Sequence, residues 1–457
     1  MDELLTRTAR IAIGWLESLG ERPVREAATV QELRARLGGP LPAGPADPLD
    51  VVTDLASAAG PGLVASPSGR YFGFVIGGGL PAAVAADWLT TVWDQCPGPY
   101  VCGPAATVAE EVAGAWLGEL LGLPDQASFA FVPGCQTAHL TCLAAARQHV
   151  LAAAGWDVED LGLRGGPPIR VLVGEKRHAS VDRAFRFLGI GREAISVVPA
   201  DGQGRMEVTK LADRLAAGTG PAIVCAQAGE INTGAFDDLD AIAAATRRAG
   251  AWLHVDGAFG IWAAASAVHR HLVSGLARAD SWAFDTHKWL NVPYDSGLAF
   301  CAHPGAHRKS MSVTADYLVR GEGEPREAMD WTPAFSRRAR GFAVYAALRS
   351  LGRDGIADLV DRTCAHARRF ASGLDGVPGA CLLNDVVLNQ VLFRFGDDHT
   401  TDAILEGVNR GGEAWLSGTT WHGRRAIRLS VSNWQTSDGD IARALEAFRR
   451  ESSRRPL

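Results

Sequence analysis

Two short stretches hold the residue types that could do covalent chemistry. In DSWAFDTHKW an apolar, strand-like run ends on His287 and Lys288, side by side. Thirty-two residues upstream (288 − 256), the run AWLHVDG ends on a single carboxylate, Asp256. A lysine amine condenses with an aldehyde to a Schiff base. A carboxylate against a pyridine nitrogen keeps that nitrogen protonated, which turns the ring into an electron sink. One amine and one acid at the ends of two strands therefore suit an aldehyde cofactor built on a pyridine ring. Alone, a lysine after a strand is usually a solvated end, and an aspartate there an N-cap or turn residue. The pairing gives the cofactor reading its weight, and the small Gly257 and Ala258 leave room for a flat ring against the backbone.

Two further stretches add to the set. FVPGCQTAHLTCLAAAR reads as strand, tight turn and helix, so Gly134, Cys135 and Gln136 would offer a helix amino terminus to a phosphate. A glycine at such a turn is weak evidence alone, since most are only turn chemistry. His178 closes IRVLVGEKRH. An isolated histidine there is most simply a satisfied turn residue; in this company it is a candidate to stack on the ring or to move a proton near the reacting carbon.

Positioning these groups requires a sheet. From Tyr71 onward, SFAFVPG, IRVLVGEKRH, AISVVPA, PAIVCAQAG, AWLHVDG, DSWAFDTHKW and SGLAFCAHPG alternate with helical segments. This is the pattern of an α/β fold with a mostly parallel seven-stranded sheet, in which ligands bind beyond the carboxyl ends of the strands. The pattern predicts a large cofactor-binding domain over 71–330 and a smaller α+β domain over 331–457, the latter holding VVLNQVLFRFG and RRAIRLSVSNW. Residues 1–70 form an arm of amphipathic helix and Pro/Gly-rich connector that cannot bury itself and is expected to pack on something, such as a second subunit.

Composition narrows the class. The chain has 457 residues, 47% hydrophobic and 21% charged, with a net charge of −6, which suits a soluble enzyme and gives no reason to expect nucleic acid or an anionic membrane as partner. No apolar run approaches membrane-spanning length, and acids and arginines interrupt the first twenty residues, so they read as a helix rather than a signal peptide. The eight cysteines contain no CxxC pair, and several, such as Cys142 and Cys225, lie in apolar runs; reduced core thiols in a cytoplasmic protein are expected. No His/Cys spacing resembles a zinc site, and no metal is expected.

On YFGFVIGGGLPAAVAADWL, GCQTAH, RHASVDRAFRFLG, AGEINTGAFDDLDAI, HVDGAFG and THKW, the chain from about residue 60 to the C-terminal lobe resembles the group II pyridoxal-5′-phosphate-dependent amino-acid decarboxylases. This is the fold-type-I family of the aromatic-amino-acid and glutamate decarboxylases; the HK pair with its upstream HVD is the most specific part of the match. The resemblance implies pyridoxal 5′-phosphate as cofactor and decarboxylation of an L-amino acid to its amine. It implies that Lys288 holds the cofactor as an internal aldimine and that Asp256 binds the pyridine nitrogen. Ala258 would pack under the ring, His178 would stack on its other face, and His287 would lie close to the phosphate. It further implies that Tyr317, 29 residues past Lys288 (317 − 288) in TADYLVRGEGEPRE, sits on a mobile loop. From there it would protonate the substrate carbon in a neighbouring active site, which makes a homodimer with shared sites the expected assembly. Presence of that tyrosine favours simple decarboxylation over the oxidative variants.

Several positions depart from the family pattern. Gln136 replaces a phosphate-binding hydroxyl, Gln227 a Thr or Ser near the phenolic oxygen, and Asp285 a neutral residue that faces the phosphate. A carboxylate aimed at a dianion would repel it, so the Asp285 side chain is expected to turn away. Phe72, Phe74, Trp93 and Tyr100 fall in the region that shapes the family's side-chain pocket and hint at an apolar or aromatic substrate. Arg337, Arg338 and Arg340 of SRRAR read either as an anion site or as an ion-paired helix start, and Arg428 reads as structural. Two other activities fit the same fold: a carbon–carbon lyase like the sphingosine-phosphate lyases, and a transaminase. A cofactor-binding protein without turnover is the non-enzyme alternative, against which the intact Lys288–Asp256 pair argues.

Overall fold

The seven apolar runs become seven strands of one sheet in the computed structural model, which describes residues 1–313 and 325–454. They are β1 (Ser128–Val132), β2 (Arg170–Gly174), β3 (Ile195–Val198), β4 (Ala222–Gln227), β5 (Trp252–Asp256), β6 (Ser281–Asp285) and β7 (Gly297–Cys301). Their spatial order is β1-β7-β6-β5-β4-β2-β3. The run from β6 to β3 is parallel, and β7 lies antiparallel to both β1 and β6. Every residue of β4, β5, β6 and β7 is buried, which is why these strands read as continuous apolar runs rather than alternating ones. Helices cover both faces; the one at Cys135–Ala153 packs across β6 and β7.

A second, antiparallel sheet has the order β10-β11-β9-β8, formed by β8 (Ala380–Leu382), β9 (Gln390–Phe395), β10 (Ser417–Trp421) and β11 (Arg424–Ser430). It has its own core around Phe370, Phe393, Phe395 and Phe448. The long helix Gly341–Gly373 serves both cores. Ala343 to Val360 pack against the large sheet and Ala367 to Ala371 against the small one, with a break at Gly352, whose φ of 60° only glycine adopts readily. Phe72, expected near the substrate, instead lies fully buried in the core of the small lobe. Its neighbour Tyr71 bridges to Trp415, and the Phe72 N–H donates to the Trp415 carbonyl, so the backbone there is tied to the lobe and the Phe72 ring points inward.

The N-terminal helices Asp2–Glu17, Val30–Leu37 and Pro48–Ala59 contain no buried residue, and Leu5, Ile13, Leu37, Val51 and Leu55 are exposed. Several hydrogen bonds join this segment to the small lobe, among them Val24 N–H to the Gly412 carbonyl (2.9 Å) and Arg25 Nε to the Arg410 carbonyl (2.9 Å). The buried Arg70 guanidinium donates to the carbonyls of Arg22 (2.7 Å), Gly20 (3.0 Å) and Glu413 (3.0 Å). The arginines of SRRAR are ion-paired: Arg337 makes a buried bidentate pair with Glu110 (2.5 and 2.7 Å), Arg338 meets Asp87 and Arg340 meets Asp295. No described helix is long and apolar enough to cross a membrane. All eight cysteines are free, and Cys135, Cys142, Cys225, Cys301 and Cys364 are buried.

Candidate active site

β4, β5 and β6 run side by side in one direction, and each ends on a polar residue: Gln227, Asp256 and Asp285. Parallel register sets Gln227 opposite Asp256, so the three side chains collect at one carboxyl edge of the sheet. A cavity of about 390 Å³ opens there, lined by these three residues and by Ala258, His287 and Lys288. The turn Gly134–Gln136 at the start of helix Cys135–Ala153 closes one wall, and His178, at the start of helix Ala179–Phe187, forms part of another.

At one corner Lys288 Nζ lies 2.9 Å from Asp285 Oδ2. Burial alone would lower the lysine pKa, but the Asp285 carboxylate outweighs it and raises the value above the ordinary range. The other Asp285 oxygen accepts the Cys135 N–H at 2.6 Å and faces His287 Nε2 at 3.6 Å. The Ser296 N–H donates to His287 Nδ1, which places the imidazole proton on Nε2, toward Asp285. Asp285 therefore points into the cavity, against expectation. A buried carboxylate needs partners, and the Lys288 ammonium and the free N–H of the turn are the donors within reach. Gly134 is extended (φ 171°), so what requires glycine there is room: a Cβ would lie 3.0 Å from His287 Cε1 and 3.3 Å from Asp285 Oδ1.

At the opposite corner Asp256 is buried and accepts the Ala258 N–H at 3.1 Å. Burial would raise its pKa, yet the facing His139 (Nε2 to Oδ2, 3.5 Å) holds the carboxyl well below the usual range. His139 was not singled out in the sequence, although it lies one helical turn after Cys135 and so on the same face. Cys135 Sγ, His139 Nε2 and an Asp256 oxygen all lie within 4.8 Å of one another. Burial, then Asp256, pushes the Cys135 thiol well above its ordinary value, so it is a neutral neighbour rather than a thiolate.

The other predicted residues fall as follows. His178 caps its helix: its Nδ1 lies 2.7 Å from Ser180 Oγ, and burial lowers its pKa. Gln136 donates from Nε2 to the Ser180 carbonyl (3.2 Å), tying the two helix starts together. Arg428 is buried in β11 and carries no side-chain hydrogen bond among the described residues; burial lowers its pKa to about 10, opposed by Glu230. Phe74, Trp93 and Tyr100 do not line the cavity. Phe74 stacks on Trp415, Trp93 packs edge-on against Phe342, and the Tyr100 N–H is held by Glu327. Tyr317 lies outside the described residues. Arg183, Ile231 and Phe259 line the cavity without having been predicted, and Tyr294 stacks on His287 at 4.3 Å.

Comparison with known proteins decides the family. Residues 32–396 match the model of the pyridoxal-dependent decarboxylase conserved domain, well over half of the chain. The chain belongs to the pyridoxal-dependent decarboxylases. Among curated relatives, the aromatic-L-amino-acid decarboxylase of Bacillus atrophaeus is 27% identical, over 96% of this chain and 93% of its own length. Phenylacetaldehyde synthase of a Rosa hybrid cultivar is 26% identical, over 88% and 84%. The solved structure of Oryza sativa TDC with PLP and tryptamine superposes with a TM-score of 0.92 at 23% identity, over 99% of this chain and 97% of that one; it is similar in fold. The enzyme is thus a carboxy-lyase acting on amino acids, with pyridoxal 5′-phosphate as cofactor. The cavity fits that group: it is of small-ligand size, it holds one amine with Asp285 beside it and a second buried carboxylate, Asp256, apart from that pair, and it has at Gly134 a gap that a Cβ would close.

Proposed function

We propose that the enzyme removes the α-carboxyl group of an L-amino acid with an aromatic or other apolar side chain, giving the amine and carbon dioxide, with Lys288 as the point of cofactor attachment. The observation that carries this reading is that Lys288 Nζ and the Asp256 carboxylate share one cavity, the amine reachable and the carboxylate held in its acceptor form. Relatives named for aromatic amino acids and the apolar walls Ile231 and Phe259 support the substrate class.

When bound, pyridoxal 5′-phosphate supplies an aldehyde that captures amines and a ring that accepts the electrons released at the substrate carbon. The chain's own residues do the remainder. Asp256 holds a proton on the ring nitrogen. Ala258, two residues past the end of β5, and His178, at the start of helix Ala179–Phe187, would confine the flat ring. Lys288 Nζ must shed a proton before it can attack a carbon, and Asp285, 2.9 Å away, is the nearest base to that proton. Ser180 engages His178 Nδ1, which leaves Nε2 for proton transfer near the substrate carbon. The role of returning a proton to that carbon is assigned to Tyr317. A second copy of the chain is the proposed partner, covering the unburied apolar faces of the N-terminal helices. Five buried free thiols support a reducing, cytoplasmic setting.

Carbon dioxide release from each of the twenty L-amino acids, with amine, aldehyde and keto acid quantified together, tests the reading. Amine and carbon dioxide in equal amounts from an aromatic substrate are expected. Keto acid without carbon dioxide would mean transamination, and aldehyde without carbon dioxide Cα–Cβ cleavage. Aldehyde with carbon dioxide would place the enzyme with the oxidative variants.

A further inference from the structure

We propose that His139 and His254 are positioning residues, which aim Asp256 at the cofactor's ring nitrogen through a hydrogen-bond relay that begins at Trp252 and Ser281. The proposal rests on the reading that Asp256 meets that nitrogen. Trp252, His254 and Asp256 alternate along β5 and so share one face of the sheet, toward helix Cys135–Ala153, which carries His139. The contacts are continuous. Trp252 Nε1 lies 2.9 Å from Ser281 Oγ, and Ser281 Oγ lies 2.9 Å from His254 Nδ1. His254 Nε2 lies 2.9 Å from His139 Nδ1, and His139 Nε2 lies 3.5 Å from Asp256 Oδ2. All five residues are buried, four of them at 2% exposure or less.

Chemistry gives the chain its direction. An indole N–H only donates, so Ser281 Oγ accepts from Trp252, and an ionised carboxylate only accepts. The arrangement that points a proton at the carboxylate is Ser281 donating to His254 Nδ1, His254 Nε2–H to His139 Nδ1, and His139 Nε2–H toward Asp256, with the Cys135 sulfur, 3.3 Å from His139 Nε2, as that nitrogen's other neighbour. The reverse arrangement would set the lone pair of His139 against a carboxylate oxygen. Burial lowers the His254 pKa to about 3, which agrees with a neutral ring. The other groups around Asp256 are the Cys135 thiol (3.9 Å), the Ala258 N–H and, farther off, His178 and Lys288.

The test separates action through Asp256 from mere packing. The full-length enzyme is stripped of cofactor and titrated with pyridoxal 5′-phosphate and with its carbocyclic analogue, in which the ring nitrogen is replaced by CH. His139→Phe is expected to weaken the natural cofactor about ten-fold, the scale of a hydrogen bond to a charged group, and to leave the analogue unchanged. Asp256→Asn should show the same selectivity. Equal weakening of both compounds by His139→Phe, or of neither, overturns the relay while the Asp256 reading stands. Absence of selectivity in Asp256→Asn overturns the Asp256 reading and the relay with it. Should His139→Phe fail to fold, Ser281→Ala, which removes one oxygen, carries the same test. A two- to three-fold selective loss, about half a kcal/mol, supports the relay, and equal effects on the two compounds overturn it.

Discussion

Asp256 and Asp285 end neighbouring strands of one sheet, both buried and both aimed into the same cavity, yet their partners differ in kind. Asp285 is matched by a formal charge, the Lys288 ammonium, and by the Cys135 N–H. Asp256 is matched by the Ala258 N–H and by the buried His139, with His254 behind it. In the proposed reading the partner of Asp285 is the group that reacts, so that corner would change its charge as Lys288 changes. The partners of Asp256 take no part in covalent chemistry, so its acceptor state is independent of the reaction. An electron sink needs a fixed counter-charge, and a covalent anchor needs a partner that can release it. The two corners meet these separate needs with the same residue type.

Three substitutions probe that contrast, in descending order of effect. Asp256→Asn removes the fixed counter-charge and should cut kcat/KM about 10³-fold, measured in steady-state decarboxylation, with the cofactor still attached. A loss similar to that of Asp285→Asn would show the two corners to be equivalent. Gly134→Ala crowds only the Asp285 corner, with its Cβ 3.0 Å from His287. Cofactor affinity should fall about ten-fold by equilibrium titration, the scale of mild overpacking, while the Asp256 corner is untouched. Asp285→Asn gives the smallest change. Asp285 raises the Lys288 pKa, and only the neutral amine attacks an aldehyde. Its removal should therefore move the pH midpoint of cofactor attachment down by about one unit, followed by absorbance. The same pair has a stability signature with the sign of a raised lysine. Its contribution is complete below the unfolded lysine value of about 10.4 and disappears as pH rises through the folded value. Thermal melts of the cofactor-free wild type should therefore fall more steeply above that pH than those of cofactor-free Asp285→Asn.

Much of this was legible before any coordinates. Each of the seven apolar runs became a strand because a doubly covered parallel sheet requires continuous apolar sequence, and Asp256 and Lys288 mark where two such runs stop. Gly134 was legible as a turn, though its requirement turned out to be room beside His287 rather than a special φ. Side-chain direction was not legible. Asp285 was expected to turn from the site on repulsion alone, because its pairing with Lys288 three residues on and with the N–H of Cys135, 150 residues earlier, depends on how β6 meets the turn after β1. Phe72 read as a pocket aromatic because nothing local tied it to β11, more than 350 residues later. His139 and His254 look like ordinary apolar-face histidines until helix and strand are packed together. The alternation W-x-H-x-D in β5 was the available signal, since it sets three polar-tipped side chains on one face.

The central claim is that Lys288 is the residue that carries the cofactor, and the composition makes it easy to test. The chain has only four lysines: Lys176, Lys210, Lys288 and Lys309. Lys210 and Lys309 are exposed, Lys176 pairs with Glu175, and Lys288 alone lines the cavity. Reduction of the native holoenzyme with borohydride, followed by peptide mass mapping, fixes the attachment point covalently. The account predicts a phosphopyridoxyl group on Lys288 at one per chain and none on the other three; a label on Lys176, Lys210 or Lys309, or none at all, would contradict it.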